Sequence, residues 1–333
     1  MEEKKRALAL LSGGLDSTLA ARLILDQGID VVAVNFVSPF CLCRRGGCGA
    51  PEVARQLGVP LKVISAGREY LNIVQKPKHG YGKNMNPCID CRIFMLKRAK
   101  RYAKEIGASF IFTGEVLDQR PMSQHYKTLR LIEEEAGLKG RLLRPLSAKL
   151  LPETLAEKKR LVRREELLGV RGRSRRPQLS LVKRFDLTDC ACPSGGCLLA
   201  EKEFAARLRD LFHNKKRITL NDVKLLKIGR HFRLGENKIV VGRNETENKT
   251  LHSLKSEADY SFEILGCGSP VTILLGPKTR KTIAKAAALT AYYSDTKSEM
   301  PTVNFGKDDL HQSIRVPVPK DAEVEELRIR SRD

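Results

Sequence analysis

The segment Ser12–Ser17, with the sequence SGGLDS, has residue types and spacing that suit the binding of an anion. It follows an apolar run at residues 7–11 and precedes a helical pattern of apolar residues at 19–24. A glycine turn before a helix lets the backbone approach a ligand, and the helix N-terminus favours negative charge. No Lys-Ser/Thr pair closes the turn, so it is not a P-loop of the GxxxxGK[ST] type. The segment predicts a phosphate site in which Asp16 helps to position Mg²⁺.

The nine cysteines of the chain are concentrated rather than evenly spread. They form three groups and one single residue: Cys41, Cys43 and Cys48; Cys88 and Cys91; Cys190, Cys192 and Cys197; and Cys267. Simple packing is the expected role of the single cysteine. A cytoplasmic chain of this size is not expected to carry a disulfide framework. The groups therefore indicate metal or sulfur chemistry.

The second cysteine group lies at the predicted start of a helix, after Pro87, where the helix dipole stabilises thiolates. Such a CxxC pair can be a redox dithiol, half of a zinc site or two ligands of an iron–sulfur cluster. The glycine-rich segment 190–197 can supply a third thiolate, because its backbone can fold closely around an inorganic centre. A metal centre held by three thiolates keeps its fourth coordination position open. An open position is typical of a reactive centre, whereas structural zinc usually has four protein ligands.

Alternating strand and helix patterns surround these residues in the first half of the chain. A buried strand is predicted at residues 29–36, and further strands at 61–65, 110–114 and 142–146. A long helix is predicted to begin at Cys88. This alternation is typical of an α/β fold with a parallel sheet and helices on both faces. Ligands of such sheets bind beyond the carboxyl ends of the strands, so the turns at Ser12 and Thr113 and the loop after Phe36 should meet there.

The pattern beyond residue 150 predicts a connection and a second region. One helix is expected over 152–168, and a linker or flexible basic loop over 169–177. A smaller α/β or α+β domain is expected from about Asn221. Its predicted elements are strands at 239–242 and 271–276 and a helix at 281–293. The charged stretch after Glu323 is expected to be loose.

The chain carries 61 Lys and Arg residues against 39 Asp and Glu residues, a formal net charge of +22. Residues 158–184 hold eleven of the basic residues and only two acids, Glu165 and Glu166. This concentration favours a phosphate-binding face, with nucleic acid as the leading partner. No apolar run approaches the roughly 18 residues of a membrane helix, and Met1–Lys5 lacks the apolar core of a signal peptide. We expect a cytoplasmic protein with no membrane partner.

Ordered motifs within residues 5–200 resemble those of the tRNA thiouridine synthetases, which belong to the PP-loop ATP pyrophosphatases. They are SGGLDS at 12–17, NPCIDC at 86–91, TGEVLDQRPMSQ at 113–124 with LLRPL at 142–146, and SGGC at 194–197. The run at 113–124 is most similar to the 4-thiouridine synthetase branch, whereas the late cysteine segment also resembles the 2-thiouridylase branch. Residues 230–243 resemble, more weakly, an RNA-binding module of ribosome-quality-control proteins.

The resemblance implies that ATP adenylates a uridine carbonyl oxygen of tRNA, pyrophosphate leaves, and a cluster-bound sulfide then displaces AMP. Members with a CxxC and one later cysteine carry a 4Fe–4S cluster on those three residues, here Cys88, Cys91 and Cys197, with Cys190 or Cys192 as substitutes for the third. These three cysteines and Asp16 are the implied catalytic residues. The implied cofactors are ATP, Mg²⁺ and the cluster, with zinc as the alternative. The residues implied to bind the nucleotide are Ser12, Gly13, Gly14, Asp16, Ser17, Asn35, Thr113, Gly114, Gln119, Ser123 and Arg144.

Three functional segments are expected along the chain. Residues 1–168 form the catalytic PP-loop domain, residues 169–220 complete its active site, and residues 221–333 bind RNA. The expected partners are tRNA and a sulfur donor, either sulfide or a carrier protein, and a homodimer is left open. The group Cys41–Cys48 has no counterpart in the family. It can bind a second metal with Cys190 and Cys192, handle persulfide sulfur or serve a structural role.

Two other functions compete with thiolation. A PP-loop zinc enzyme acting on a small molecule, such as a deazaguanine nitrile synthase or an amidating ligase, would use zinc structurally and need no basic face. A non-catalytic RNA-binding protein would keep the basic face without ATP chemistry. The intact Asp16 argues against the second alternative.

Overall fold

The computed structural model describes residues 5–41, 49–185, 187 and 197–331. Two compact units divide the chain between residues 200 and 201, and each has a hydrophobic core of its own. Within the described ranges, no helix is long and apolar enough to cross a membrane. The functional boundaries expected at residues 168 and 220 stay a prediction.

The first unit contains a five-stranded parallel sheet, as the sequence predicts. Its strands are β1 (Arg6–Leu10), β2 (Asp30–Val37), β3 (Leu61–Ser65), β4 (Phe110–Thr113) and β5 (Leu142–Leu143). Their order is β3-β2-β1-β4-β5, and every neighbouring pair is parallel. At the centre, Leu10 of β1 is in register with Val34 on one side and Thr113 on the other. The carboxyl ends of β1, β2 and β4 therefore meet at one edge of the sheet.

Helices cover both faces of this sheet. They are α1 (Leu15–Leu25), α2 (Ala50–Gln56), α3 (Arg68–Gln75), α4 (Cys88–Glu105), α5 (Tyr126–Ala136), α6 (Leu155–Lys158) and α7 (Arg176–Arg184). Because alternate residues of a strand face opposite sides, Ala7 and Ala9 pack in one core with Leu19 of α1. Leu8 packs in a second core with Leu96 of α4. The two cores confirm the predicted α/β layers.

The single helix expected over residues 152–168 is wrong. A capping box between Thr154 and Glu157 starts α6, which is only four residues long. Arg160 then adopts a left-handed φ of 52°, which an α-helix cannot continue through. Val162 and Leu167 pack into the core from irregular chain and a 3-10 turn. The apolar residues of this segment are buried without sharing one helical face.

The second unit is an α+β domain built on an antiparallel sheet. Its elements are α8 (Lys202–Asn214), α9 (Leu220–Leu225), β6 (Arg230–Leu234), β7 (Asn237–Val241), α10 (Glu245–Leu254), β8 (Tyr260–Glu263), β9 (Thr272–Leu275), α11 (Arg280–Tyr292), β10 (Thr302–Gly306), β11 (Gln312–Arg315) and α12 (Asp321–Leu327). The strand order is β11-β10-β8-β9-β7-β6. Phe232 and Phe262 of the sheet pack with Leu289 of α11 in its core.

Two expectations for this unit are wrong. The stretch after Glu323 is not loose, because α12 continues to Leu327 and Arg328 lies over the ring of Phe232, 5.2 Å from its centroid. Val324 anchors the helix with an exposed fraction of 1%. Cys267, expected to be packed, is exposed.

Candidate active site

Residues 12–17, called the nucleotide loop because they are predicted to bind ATP phosphates, join the end of β1 to the start of α1. Gly13 has a φ of 76°, and a Cβ there would lie 2.3 Å from the Ala50 nitrogen, so only glycine fits. The Ser17 hydroxyl donates to the Gly14 carbonyl at 2.8 Å. Gly14 is the N-cap of α1 and has no side chain to cap the first turn. The N–H groups of that turn can therefore meet an anion.

The two neighbouring strands hold this loop in place. A Cβ added to Gly114, directly after β4, would lie 2.4 Å from the Ser17 nitrogen. On β2, Asn35 is 4% exposed and donates from Nδ2 to the Leu11 carbonyl at 2.8 Å. The chain therefore approaches the loop closely from both sides, which leaves the space above the start of α1 as the opening for a ligand.

A cavity of about 240 Å³ opens at this edge of the sheet. The predicted site residues that line it are Ser12, Gly14, Asp16, Ser17, Asn35, Cys88, Cys91, Thr113, Gly114, Gln119, Ser123 and Cys197. Gly13 and Arg144 do not line it. The structure thus brings the nucleotide loop, the 113–124 segment and three cysteines to one cavity.

Arg144 lies behind the cavity wall, with an exposed fraction of 3%. It is paired with Glu133 and, from Nε at 3.1 Å, with Glu115, which lines the cavity. Arg92 Nε lies 3.4 Å from the other oxygen of Glu115. Burial alone would raise the pKa of Glu115, but Arg144 and Arg92, with hydrogen bonds from Arg144 and Thr113, hold it below its ordinary range. Glu115 is therefore a charged, buried carboxylate that Arg144 braces.

Cys88 and Cys91 occupy the first turn of α4. Between them, the carboxylate of Asp90 accepts the backbone N–H groups of Lys78 at 3.1 Å and His79 at 3.0 Å. These bonds hold the preceding loop against the start of the helix. Burial raises the pKa of both thiols, so both favour the protonated form, although neighbouring arginines act in the opposite direction.

Cys197 reaches the same cavity and meets a thiol of the first cysteine group. It faces Cys41 across an isolated antiparallel bridge, and both side chains line the cavity. Burial, together with neighbouring thiols, raises the pKa of Cys197 to about 12. The structure thus adds one thiol to the three predicted. Four other cysteines of these groups lie outside the described residues: Cys43, Cys48, Cys190 and Cys192.

Thiolates are the donors that iron–sulfur clusters use and are common ligands of zinc, so the donor chemistry of the cavity fits such a group. In the ranges that the structure describes, no three His, Cys, Asp or Glu side chains converge closely enough to hold a metal ion. The thiols of Cys88, Cys91 and Cys197 line one cavity but do not lie close enough together to coordinate one metal ion. The cluster on Cys88, Cys91 and Cys197 stays a prediction.

Sequence reasoning missed several side chains of the cavity. Arg92, Arg120 and Arg175 all line it. Tyr70 on α3 is 1% exposed and forms a hydrogen bond with the side chain of Cys91. Arg92 directly follows the CxxC pair and Arg120 lies inside the 113–124 run, so their positions beside predicted site residues could have identified them. Tyr70 has no such signal, because only the packing of α3 against α4 brings it there.

Gln178 on α7 was missed as well. It is fully buried, and its Nε2 donates to Asp16 Oδ1 at 3.2 Å, which orients the carboxylate of the nucleotide loop. A signal for it exists, because Gln178, Leu181, Val182 and Phe185 have the i, i+3, i+4, i+7 spacing of a buried helix face. The three apolar residues pack against the core. The basic segment 158–184 is therefore attached to the site through its last helix.

Comparison with protein families matches two separate parts of the chain. Residues 3–150 match the family of the thiamine biosynthesis protein ThiI. Residues 229–328 match the RNA-binding domain of the NFACT proteins. The first match contains the nucleotide loop, the CxxC pair and the 113–124 run, and the second lies within the second unit.

Curated relatives match the first part of the chain. The tRNA-specific 2-thiouridylase MnmA of Syntrophotalea carbinolica is 37% identical over 123 residues, which cover 34% of this chain and 35% of that protein. A probable tRNA sulfurtransferase of Thermococcus kodakarensis is 31% identical over 150 residues, which cover 42% of this chain and 36% of that protein. The chain thus spans about a third of these relatives. Among solved structures, the U34-tRNA thiolase NcsA from Methanococcus maripaludis with its 4Fe–4S cluster gives a TM-score of 0.35 at 18% identity, over 68% of this chain and 72% of that one.

Proposed function

We propose that the chain thiolates a tRNA uridine at the expense of ATP, as the match of residues 3–150 to the ThiI family supports. One observation carries the proposal: the nucleotide loop and the thiols of Cys88, Cys91 and Cys197 open into the same cavity. ATP activation by itself requires no thiol beside the nucleotide. A simple redox dithiol requires no phosphate-binding loop. The names of the matched 2-thiouridylase and sulfurtransferase support the same chemistry.

In the first step, the uridine carbonyl oxygen attacks the α-phosphorus of ATP and pyrophosphate leaves. The triphosphate lies over residues 12–17, where the N–H groups at the start of α1 stabilise the charge that develops. Asp16, oriented by Gln178, positions Mg²⁺. Arg120 is close enough to interact with the charge of Asp16 and to favour ionisation of the Cys88 thiol, so it supplies positive charge near both the loop and the thiols.

In the second step, sulfur bonds to the ring carbon and the adenylated oxygen leaves with AMP. A 4Fe–4S cluster held by Cys88, Cys91 and Cys197 would supply the sulfur nucleophile when bound. The chain orients this step through two contacts. The Asp90 carboxylate fixes the loop before Cys88, and Tyr70 hydrogen-bonds to Cys91.

Exposed positive charge supports tRNA as the substrate. All the Lys and Arg residues of segment 158–184 are exposed except Arg164, which is half-buried and pairs with Glu157. The second unit, whose residues 229–328 match an RNA-binding domain, groups four guanidinium groups closely enough for their charges to interact. They belong to Arg207, Arg230, Arg243 and Arg328. Arg243 and Arg328 also pair with Glu247 and Glu325. Exposed Lys and Arg side chains, such as those of segment 158–184, bind backbone phosphates.

A comparison of Cys91→Ala with Cys267→Ala tests the proposal. Thiouridine is measured by mass spectrometry of nucleosides from tRNA incubated with each variant, ATP and a sulfide donor. Cys91→Ala should abolish thiolation while ATP binding persists, because the nucleotide loop does not depend on this thiol. Cys267→Ala changes an exposed cysteine of the second unit and should retain activity. Thiolation by Cys91→Ala at the wild-type rate would contradict the mechanism.

The metal content of protein purified without oxygen tests the cluster. About four irons with matching sulfide per chain would support it, since that is the composition of a 4Fe–4S cluster. Zinc alone would contradict it and favour a PP-loop zinc enzyme that acts on a small molecule. No metal after reconstitution would leave a persulfide on Cys88 or Cys197 as the remaining route.

A further inference from the structure

Cys41 is the thiol of the cavity that the proposed reaction does not use. The antiparallel bridge pairs it with Cys197. The Leu198 N–H donates to the Phe40 carbonyl at 3.0 Å, which joins the residue after Cys197 to the residue before Cys41. In an antiparallel ladder, a hydrogen bond between the residues that flank two opposed residues marks a non-hydrogen-bonded pair. Cys41 and Cys197 therefore lie directly opposite each other and share no backbone hydrogen bond.

Pairs of this type bring opposed side chains closer than any other position in a sheet. Their Cα atoms are about 4.5 Å apart, which lies within the roughly 4.4–6.8 Å that disulfides span. Both side chains line the same cavity, so they project to the same side of the bridge. Both cysteines are partly exposed, which lets a small reagent reach them.

We propose that Cys41 and Cys197 form a redox-sensitive dithiol that low-molecular-weight disulfides, such as oxidised glutathione, modify. One cysteine thiolate attacks a sulfur of the reagent, forms a mixed disulfide and releases one glutathione thiol. The second cysteine then displaces the other glutathione and closes the Cys41–Cys197 disulfide. The two cysteines lose two electrons and two protons, and oxidised glutathione gains them as two thiols.

The consequence for activity rests on the proposed function. In the oxidised form, the sulfur of Cys197 is bonded to Cys41 and cannot act as a ligand or as a sulfur carrier. Oxidation therefore stops thiolation, while the nucleotide loop, which contains no cysteine, keeps its ability to bind ATP. A reducing thiol reverses the change.

Peptide mapping without reduction tests the disulfide itself. The full chain is treated with oxidised glutathione, alkylated and digested with trypsin, which leaves Cys41 and Cys197 in two different peptides, 23–44 and 185–202. Wild type should yield these peptides as a crosslinked pair. Because they also contain other cysteines, serine variants assign the bond. Cys41→Ser and Cys197→Ser should each abolish the crosslink, and the matched control Cys43→Ser should retain it.

The competing outcome is oxidation of the CxxC pair. Cys88 and Cys91 lie in one tryptic peptide, 84–92, so a disulfide between them appears as the loss of two hydrogens from that peptide. If this product forms and no crosslink to peptide 23–44 appears, the proposal is overturned. A crosslink that persists in Cys41→Ser overturns it as well.

Activity measured before and after oxidation tests the consequence. Wild type should lose most of its thiolation and recover it with dithiothreitol, while ATP binding is unchanged. Cys41→Ser, whatever its starting activity, should keep most of that activity under the same oxidant. A disulfide that forms without loss of thiolation overturns the regulatory consequence. If reduced wild type does not thiolate tRNA at all, the proposed function fails, but the peptide map still decides whether the dithiol exists.

Discussion

At the scale of single residues, Gly114 shows how little space the nucleotide loop leaves. We predict that Gly114→Ala weakens ATP binding at least about tenfold, a loss of about 1.4 kcal/mol, because the backbone of the nucleotide loop must shift to make room. The added Cβ would lie 2.4 Å from the backbone nitrogen of Ser17, and a backbone cannot move aside as a flexible side chain can. Isothermal titration with ATP measures the effect.

Gly169→Ala is the matched control for this prediction. A Cβ at Gly169 would lie 3.5 Å from its nearest neighbour, an ordinary contact, and should leave ATP binding unchanged. Thermal unfolding of both variants separates a local effect from a loss of the fold. ATP affinity within about twofold of wild type in Gly114→Ala would show that the loop adjusts.

Glu115 is predicted to stabilise the fold through its charge. Glu115→Gln should lower the free energy of unfolding at neutral pH by about 3 kcal/mol, because it removes one partner of a buried ion network around Arg144 and Arg92. Urea unfolding measures the change. Glu134→Gln is the control, since Glu134 forms an exposed pair with Lys139 and should cost less than about 1 kcal/mol.

The pH dependence gives this prediction a sign. The native pKa of Glu115 is depressed, so its stabilising charge is present above the ordinary glutamate pKa of 4.5 and is lost as the pH falls through the lower native value. The stability difference between wild type and Glu115→Gln should therefore shrink in acid. A difference that stays constant down to full protonation would mean that shape, and not charge, accounts for the effect.

Residues that belong to local motifs could be predicted from the sequence, whereas residues that depend on tertiary packing could not. Asp16 and Cys88 lie in short segments whose types and spacing indicate their chemistry, and the structure places both at the cavity. Tyr70 and the partner of Cys41 depend on how distant segments pack, and no spacing in the sequence encodes that. Arg144 was predicted as a site residue, and the structure places it one layer behind the cavity.

At the scale of elements, the start of α4 depends on Asp90. We predict that Asp90→Ala destabilises the loop before Cys88, because two backbone N–H groups, those of Lys78 and His79, lose their acceptor. A buried donor left unpaired costs about 1–3 kcal/mol, and these two donors are partly buried, so the total loss should lie towards the lower end of that range. Hydrogen–deuterium exchange at residues 76–87 should become faster, and thiolation should fall with it.

Lys78→Ala is the control for this prediction. It removes the exposed pair between Lys78 and Glu135 but keeps the Lys78 N–H that Asp90 accepts. Exchange in the loop should stay near the wild-type rate. Equal acceleration in both variants would show that the side-chain pair, and not the helix start, holds the loop.

The first four strands of the first unit could be predicted to within a residue because apolar runs are a local signal, whereas β5 ends at Leu143, three residues before the predicted end. The segment 152–168 could not, because its apolar residues are buried singly by contacts with other elements. Helix α7 was overlooked for a different reason. Its charge density favoured a phosphate-binding face, and the Gly/Arg-rich stretch before it favoured a linker, although Gln178 and three partly buried apolar residues with helical spacing pack against the core.

At the scale of the whole molecule, tRNA binding should depend steeply on salt. We predict that the double variant Arg173→Glu and Arg176→Glu lowers the slope of log Kd against log salt by about 1.5, since each phosphate contact contributes about 0.7–0.9. Both residues are exposed within the basic segment 158–184. Filter binding or fluorescence anisotropy at several salt concentrations measures the slope.

A double variant with the same charge change outside this segment is the control. Lys97→Glu and Lys104→Glu alter two exposed residues of α4 and produce the same net charge. The salt slope should remain near the wild-type value. If both double variants lower the slope equally, net charge and not the basic segment determines binding. A flat salt response of wild type would contradict a role in binding tRNA.

The parallel sheet and the path of the chain also determine when the cavity becomes complete during synthesis. The nucleotide loop ends at Ser17 and Cys197 follows 180 residues later. At about 5–20 residues per second, a ribosome needs roughly 10–40 s to add the third thiol after the loop. Because β1 cannot pair with β4 before Thr113 has been made, even the nucleotide half of the site must wait for most of the first unit. A nascent chain therefore contains the segments that would bind ATP well before it contains all three thiols of the site.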